Sequence, residues 1–168
     1  LEELTASAGM SLDIVPPVEV DGGLVSSSRV RQLIAVGDVD AANRMLSQPY
    51  RIRGLVTHGA GRGAKIGFPT ANLAGIDTLL PAQGVYAGRG WVGAQSWPAA
   101  VNLGPSPTFG DASLRVEVHL LGHDESLYGQ PMEVDFLARL RDIRPFPSPE
   151  ALVEQLRRDV EQVRQIAG

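Results

Sequence analysis

The stretch GVYAGRGWVGAQSWPAAVNLG, residues 84–104, decides the fold class of this sequence. It contains two strand-like runs, residues 84–93 and 97–104, which are separated by a short turn beginning at a glycine. Three further runs have the same character: YRIRGLVTHG at 50–59, LRVEVHLLG at 114–122 and MEVDFLARL at 132–140. Short connections without an intervening helix join antiparallel strands. The sequence therefore predicts a mainly β domain, built as an antiparallel sheet or barrel.

A single amphipathic helix is predicted after the last strand, in SPEALVEQLRRDVEQVRQIA at 148–167. Ser148 is the expected N-cap, and Pro149 occupies the first helical position, where a missing N–H is tolerated. Apolar side chains recur at helical spacing and form one stripe that must be buried. They are Leu152, Leu156, Val160, Val163 and Ala167. We expect this stripe to cover an open end of the sheet.

Residues 1–49 have a different pattern, with short helices in place of regular strands. The run SLDIVPPVEV at 11–20 is predicted to form a buried strand that two prolines interrupt. A helix is predicted from the N-cap Ser28 to a stop at Gly37, followed by a second helix capped by Asp38. The pattern indicates an α/β segment ahead of the β domain.

The composition excludes several classes of chemistry. The 168 residues include no cysteine and three histidines, which excludes disulfides and thiolate sites and disfavours a zinc site. No apolar run approaches the roughly 18 residues of a membrane span and no secretion leader is visible, so a cytoplasmic protein without a membrane partner is expected. The formal net charge of −4 argues against nucleic acid as a partner. Lys65 is the only lysine in the chain, which suggests a chemical role for it.

That lysine lies in a glycine-rich loop, GAGRGAKIGFPTANL at 59–73. A P-loop requires glycine before the lysine and Ser or Thr after it, but Ala64 and Ile66 occupy these positions. A dinucleotide-binding fingerprint requires a glycine where Ala64 stands, followed by a helix, so it does not fit either. The loop still suits a phosphate, because glycines let backbone N–H groups approach an anion and Lys65 adds a positive charge. The glycines are Gly59, Gly61, Gly63 and Gly67.

The end of this loop, FPTAN at 68–72, offers two neutral oxygens. Pro69 fixes its own φ and disfavours a helical Phe68, so an extended segment is expected. Residues two apart in an extended chain face the same side, which brings the Thr70 hydroxyl and the Asn72 amide together. Such oxygens beside phosphates suit Mg²⁺, which completes its coordination shell with phosphate and water. The alternative is that both side chains merely satisfy a turn.

The motifs of residues 50–168 resemble those of the riboflavin kinase module that ends the bifunctional prokaryotic riboflavin kinase/FMN adenylyltransferase family. In family order they are GAGRGAKIGFPTAN, LPAQGVYAG, NLGPSPTFG, VEVHLL, LYGQPMEVDFLARLRDIRPF and the final helix. The resemblance implies a small antiparallel Greek-key barrel with a C-terminal helix. It also implies transfer of the γ-phosphoryl group of ATP to the 5′-hydroxyl of riboflavin, which gives FMN and ADP, with Mg²⁺ as the metal ion.

The same resemblance implies roles for individual residues. Thr70 and Asn72 would bind Mg²⁺, and Glu117 would be the catalytic base. The nucleotide would be contacted by Gly59, Lys65, Leu120 and Tyr128, together with the other loop glycines. The flavin would be contacted by Arg141, Arg144 and Phe146. The strand pattern by itself favours a different reading of Glu117, as an ordinary solvated residue. The flavin-contact residues likewise have an alternative as two surface charges and a core side chain.

The strand RVEVHL that carries Glu117 can be read independently of the family. Alternation sends one set of its side chains to the core and the other to the opposite face. The core set is Val116, Val118 and Leu120, and the opposite set is Arg115, Glu117 and His119. Glu117 is therefore expected outside the core, where a carboxylate can reach a substrate.

The upstream segment resembles another module of the same family. SSSRVR at 26–31 is similar to a Ser-Ser-Ser/Thr-x-x-Arg motif of the adenylyltransferase module, which helps to bind ATP. Residues 1–49 are therefore predicted to be a C-terminal remnant of that module, and residues 50–168 the kinase domain. The histidine-containing motif that begins the adenylyltransferase module is not in this sequence, so FMN formation without FAD formation is expected. The expected partners are riboflavin, FMN, ATP, ADP and the missing adenylyltransferase half.

Two other functions remain open from the sequence. One is a barrel that binds a flavin or nucleotide without turning it over. The other is an oligonucleotide-binding barrel, which the net charge and the lack of an aromatic stacking array disfavour.

Overall fold

A computed structural model describes residues 2–59, 61–105 and 114–168. Its elements are α1 (Glu2–Ser7), β1 (Glu19–Val20), β2 (Gly23–Leu24), α2 (Ser27–Val36), α3 (Val39–Leu46), β3 (Tyr50–Thr57), α4 (Arg62–Lys65), β4 (Ala71–Ala74), β5 (Gly84–Val92), β6 (Gln95–Pro105), β7 (Leu114–Leu120), β8 (Pro131–Arg141) and α5 (Pro149–Ala167). Six strands form a closed antiparallel barrel in the order β3–β4–β7–β6–β5–β8, and β8 pairs back to β3. The predicted mainly β class, with an antiparallel barrel and a C-terminal helix, is confirmed. Residues 106–110 of the NLGPSPTFG motif lie outside the described residues.

Alternate side chains of the strands fill the barrel interior, and on β7 the predicted alternation is confirmed. The residues buried in the core are Val116, Val118 and Leu120, while Arg115, Glu117 and His119 lie on the outer face. Any chemistry of Glu117 therefore takes place on the outside of the barrel wall.

Tyr86 on β5 and Phe136 on β8 are the largest fully buried side chains of the barrel core. Their rings pack edge to face with centroids 5.3 Å apart. The Tyr86 hydroxyl donates to the carbonyl of Ala82 at 2.6 Å, which satisfies its buried polar end. Burial raises the pKa of the Tyr86 phenol, because the charged form is disfavoured away from water.

Helix α5 begins as predicted, with the Ser148 hydroxyl capping its first turn and proline at the first helical position. Its buried residues Val163 and Ala167 pack against Ala87 of β5 and its cross-strand neighbour Ala100 of β6. The helix therefore lies on the outer face of the barrel wall, and the expectation that it covers an open end of the sheet is wrong. Ala87 and Ala100 explain why the helix lies on the wall, because small outward side chains let a helix approach the strands closely.

Helix α3 ties the segment ahead of the barrel to the barrel itself. Val39 is fully buried as part of the barrel core. The Asn43 amide bridges two strands: its oxygen accepts the N–H of Tyr50 at 2.7 Å, and its nitrogen donates to the carbonyl of Phe136 at 2.8 Å. The core of the β domain thus includes a residue from before position 50.

Two predictions for residues 1–49 are wrong. The N-cap of α2 is Ser26 and not Ser28: Ser26 is extended, and its hydroxyl accepts the backbone N–H three residues later at 3.2 Å. Residues 11–18 form no strand and are exposed, because two adjacent prolines remove the N–H donors that a strand ladder needs. The predicted stop at Gly37 and the cap by Asp38 are confirmed. Of the helices that the structure describes, none has the length and apolar character needed to cross a membrane.

Candidate functional site

The glycine-rich loop between β3 and β4, called the flap below, packs closely on the start of β4. A Cβ on Gly59 would lie 2.0 Å from Nδ2 of Asn72, and a Cβ on Gly63 would lie 2.2 Å from the carbonyl oxygen of Phe68. Gly61 and Gly67 have left-handed backbones, with φ of 64° and 85°. The flap also contains the single helical turn α4, inside the motif and not after it. Packing or backbone conformation therefore accounts for the glycine at each of these four positions, and contact of the four with a nucleotide stays a prediction.

Polar side chains form a row across the outer face of four neighbouring strands. The directly paired residues of β3, β4, β7 and β6 are, in that order, Thr57, Asn72, Glu117 and Asn102. We call these four residues the polar row. Nδ2 of Asn102 donates to Oε2 of Glu117 at 3.2 Å, and the other carboxylate oxygen lies 3.9 Å from Nη1 of Arg115. Strand register thus places the predicted catalytic carboxylate directly beside the predicted metal ligand Asn72.

Thr70 lies two residues before Asn72, where the flap joins β4. A Cβ on Gly63 would lie 3.6 Å from the Thr70 hydroxyl oxygen, so this hydroxyl lies close to the middle of the flap. Lys65, at the end of α4, is exposed. In residues 2–59, 61–105 and 114–168, no group of three or more His, Asp or Glu side chains could hold a metal ion.

A cleft of about 340 Å³ opens between the outer face of the barrel and α5, and we call it the α5 cleft. Glu117 and Asn102 line it together with the three predicted flavin contacts, Arg141, Arg144 and Phe146. Apolar side chains of α5 line it as well: Leu152, Leu156 and Val160. The cleft thus combines an apolar wall with a carboxylate and two guanidinium groups.

A hydrogen-bond network holds the two arginines of the α5 cleft. Arg141 donates to both carboxylate oxygens of Asp159 at 2.7–3.1 Å, and Asp159 is only 1% exposed. Gln155 extends the network, because its nitrogen donates to Asp159 at 2.8 Å and its oxygen accepts from Arg144 at 2.7 Å. Both guanidinium groups lie over the Phe146 ring, at 5.7 and 5.4 Å from its centroid. A buried carboxylate therefore holds Arg141 in the cleft, and the exposed Arg144 is joined to the same network through Gln155.

A second pocket, of about 250 Å³, lies next to the residues just before β4, and we call it the loop pocket. Three predicted nucleotide contacts line it together: Thr70, Leu120 and Tyr128. The half-exposed Tyr128 ring stacks on His58, with centroids 3.9 Å apart and an angle of 25° between the rings. Alternate residues of β7 line different cavities, since Leu120 lines the loop pocket and Glu117 lines the α5 cleft. Strand β7 thus separates the two cavities.

The sequence patterns assign no function to three polar residues of this region: Asn102, His119 and Asp159. Asp159 leaves a signal, because it lies three residues after Leu156 and four before Val163 and so interrupts the apolar stripe of α5. The contacts of Asn102 and His119 depend on which strands are neighbours and in which register, and the sequence pattern does not specify either.

Comparison with known proteins agrees with this architecture. The family model described as Flavokinase, riboflavin kinase, matches residues 46–167. The bifunctional riboflavin kinase/FMN adenylyltransferase of Pseudomonas fluorescens is 38% identical over 100% of this chain, and that of Bacillus subtilis (strain 168) is 34% identical over 94% of it. The chain spans 54% and 51% of the lengths of these two relatives.

A solved structure has the same fold. The crystal structure of a Streptococcus pneumoniae protein described as a macrolide-efflux protein matches with a TM-score of 0.89 and 38% identity, over 97% of this chain and 54% of the other. The family model covers the barrel strands, all lining residues of both cavities and α5, so we conclude that the chain belongs to the riboflavin kinase family.

Proposed function

We propose that this chain transfers the γ-phosphoryl group of ATP to the 5′-hydroxyl of riboflavin, producing FMN and ADP. The observation that carries the proposal is the division of β7 between two cavities, with Glu117 in the α5 cleft and Leu120 in the loop pocket. A flavin in the α5 cleft and a nucleotide in the loop pocket would meet where the flap joins β4. Phosphoryl transfer depends mainly on aligning the two reactants and stabilising charge, which such a junction can do.

Glu117 is the group that we propose as the general base. Its carboxylate would accept the proton of the 5′-hydroxyl as that oxygen forms a bond to the γ-phosphorus, while the bond from the γ-phosphorus to the β–γ bridging oxygen breaks and ADP leaves. Asn102 donates to one carboxylate oxygen, which orients the group. A positioned general base typically contributes a factor of about 10² to 10⁴ to the rate.

The residues at the flap junction fit a divalent cation that binds with the nucleotide, and we propose Mg²⁺. Thr70 and Asn72 supply neutral oxygens, Glu117 is the cross-strand neighbour of Asn72, and the missing side chain at Gly59 leaves the space that the Asn72 amide occupies. Mg²⁺ characteristically takes one or two protein ligands and completes its shell with phosphate and water. When bound, the ion would neutralise phosphate charge, and Thr70 and Asn72 would hold it.

We assign the remaining predicted contacts to the flap and to the two cavities. The flap glycines and Lys65 would hold the phosphates, while Leu120 and Tyr128 would contact the adenosine. In the α5 cleft, Phe146 would offer its ring to the flavin, held in place by Arg141 and Arg144.

The proposal is tested by incubating the chain with riboflavin, ATP and Mg²⁺ and separating the flavins by chromatography. We expect an FMN peak that falls by at least about a hundredfold in Glu117→Gln. Glu133→Gln is the matched control, because Glu133 is also a half-exposed outward glutamate on a barrel strand, but it pairs with Arg51 at 2.9 Å away from both cavities. Equal activity in both variants would remove Glu117 from the mechanism.

The alternative of a non-catalytic barrel predicts a different outcome of the same assay. Flavin or nucleotide would bind, and no FMN would form even in the wild-type chain. A mass measurement on the same samples tests the proposal for residues 1–49: a remnant of an adenylyltransferase gives no FAD, whereas an FAD product would require a complete second site.

A further inference from the structure

His119 makes a contact that the proposed chemistry does not use. Nδ1 of His119 lies 2.7 Å from the carbonyl oxygen of Pro69. A carbonyl oxygen only accepts, so we assign the proton to Nδ1, which donates. The ring of Phe68 packs against the His119 ring edge-on, with centroids 5.6 Å apart, and limits its rotation. The imidazole on β7 is thus clamped to the residues just before β4.

The hydrogen bond between His119 and Pro69 lies just beyond the end of the backbone pairing between β4 and β7. Strand β4 pairs with β7 only from Ala71 to Leu73, so the backbone ladder stops before Thr70. The His119 side chain continues the connection between the two strands beyond the end of that ladder. The Pro69 carbonyl and the amide nitrogen of Thr70 belong to one planar peptide group. A hydrogen bond to this oxygen therefore fixes the orientation of the peptide that leads into Thr70.

We propose that His119 is a positioning residue that holds the Thr70–Asn72 segment in the orientation needed to bind the nucleotide-bound cation. The proposal rests on the proposed function, in which Thr70 and Asn72 hold that ion. His119 acts through the Pro69 carbonyl and not by touching either substrate. Its loss would loosen one end of a metal-binding segment whose other end the β4–β7 ladder still fixes.

A direct chemical role is the competing explanation, because His119 also lines the α5 cleft beside Glu117. In that case the free nitrogen Nε2 would matter, and Nδ1 would only set the tautomer. The two explanations therefore depend on different nitrogens of one ring.

Two amide substitutions separate these explanations. His119→Asn places an amide nitrogen near the position of Nδ1 and can still donate to the Pro69 carbonyl, whereas His119→Gln places its amide near the position of Nε2 and cannot. We expect His119→Asn to stay within about twofold of wild type and His119→Gln to raise the KM for ATP–Mg²⁺ by about five- to tenfold, the range of one lost hydrogen bond. The KM for riboflavin should stay unchanged in both variants.

A second measurement does not depend on activity. Hydrogen exchange of residues 70–72, followed in the ligand-free chain, should be about five- to tenfold faster in His119→Gln than in wild type and nearly unchanged in His119→Asn. Equal exchange in wild type and His119→Gln would overturn the proposal, as would a selective loss of kcat in His119→Asn. If the wild-type chain forms no FMN, the proposed function fails while the exchange result still decides whether His119 orients this segment.

Discussion

Removing the carboxylate of Asp159 is predicted to destabilise the whole domain. Asp159 is 1% exposed and accepts three contacts of 2.7–3.1 Å from Arg141, whose side chain is itself only 18% exposed. Asp159→Ala would leave that guanidinium largely buried without its counter-charge, which typically costs about 3–5 kcal/mol. For a chain of this size, we expect the melting temperature to fall by about 6–20 °C. Urea unfolding at neutral pH, followed by far-UV circular dichroism, measures the free energy directly.

Two further variants test the reasoning behind that magnitude. Glu154→Ala removes the acidic partner of an exposed pair with Arg158 on the same helix, and it should stay within about 1 kcal/mol of wild type. The double variant Asp159→Leu with Arg141→Met removes both charges and should recover most of the loss, because replacing a buried pair by apolar groups is often neutral. A loss in Asp159→Ala no larger than in Glu154→Ala would show that the buried pair does not have this effect, as would a double variant no more stable than Asp159→Ala.

Three further predictions concern the site and the core. Asn102→Ala should lower kcat for FMN formation by about tenfold in the wild-type background and have no effect in Glu117→Gln, because its hydrogen bond acts through that carboxylate; an equal loss in both backgrounds would contradict this. Gly59→Ala should raise the KM for ATP, since a Cβ there would lie 2.0 Å from Nδ2 of Asn72, the amide beneath the flap; steady-state kinetics with an unchanged KM would contradict this packing. Burial raises the pKa of the Tyr86 phenol, so this group ionises in the unfolded chain at a lower pH than in the folded chain. The free energy of unfolding should therefore fall above about pH 10, and less steeply in Tyr86→Phe. The same dependence of unfolding free energy on pH in both proteins would argue against this cause.

The parts of the fold that depend on local chemistry can be predicted from the sequence. Strand alternation separates the two faces of β7, Gly37 ends α2 in a left-handed conformation, and Ser148 caps α5. Local chemistry does not distinguish between equivalent candidates, however. Ser26 and Ser28 are both competent caps, and the choice depends on which residue stays extended.

The candidate site is less predictable, because it is assembled by strand register. The polar row joins residues from four strands, and a shift of one residue in any pairing would send a side chain into the core. Glu117 is placed outward by alternation alone, yet nothing in its own strand shows that Asn72 and Asn102 flank it. The mostly apolar run at 11–18 illustrates the same limit, since a hydrophobic pattern does not show which surface, if any, covers it.

Two kinds of support hold the site, and they should respond differently to substitution. The polar row is placed by backbone ladders, so replacing one of its side chains leaves the neighbouring positions unchanged. The α5 network is placed by side-chain contacts between a helix and the barrel, so losing Asp159 disturbs several cleft residues together. We therefore expect Glu117→Gln to reduce kcat with little change in unfolding free energy, and Asp159→Ala to reduce unfolding free energy together with flavin affinity. Measuring both quantities for both variants tests this division, and a Glu117→Gln variant that loses several kcal/mol would show that the row is held by its side chains instead.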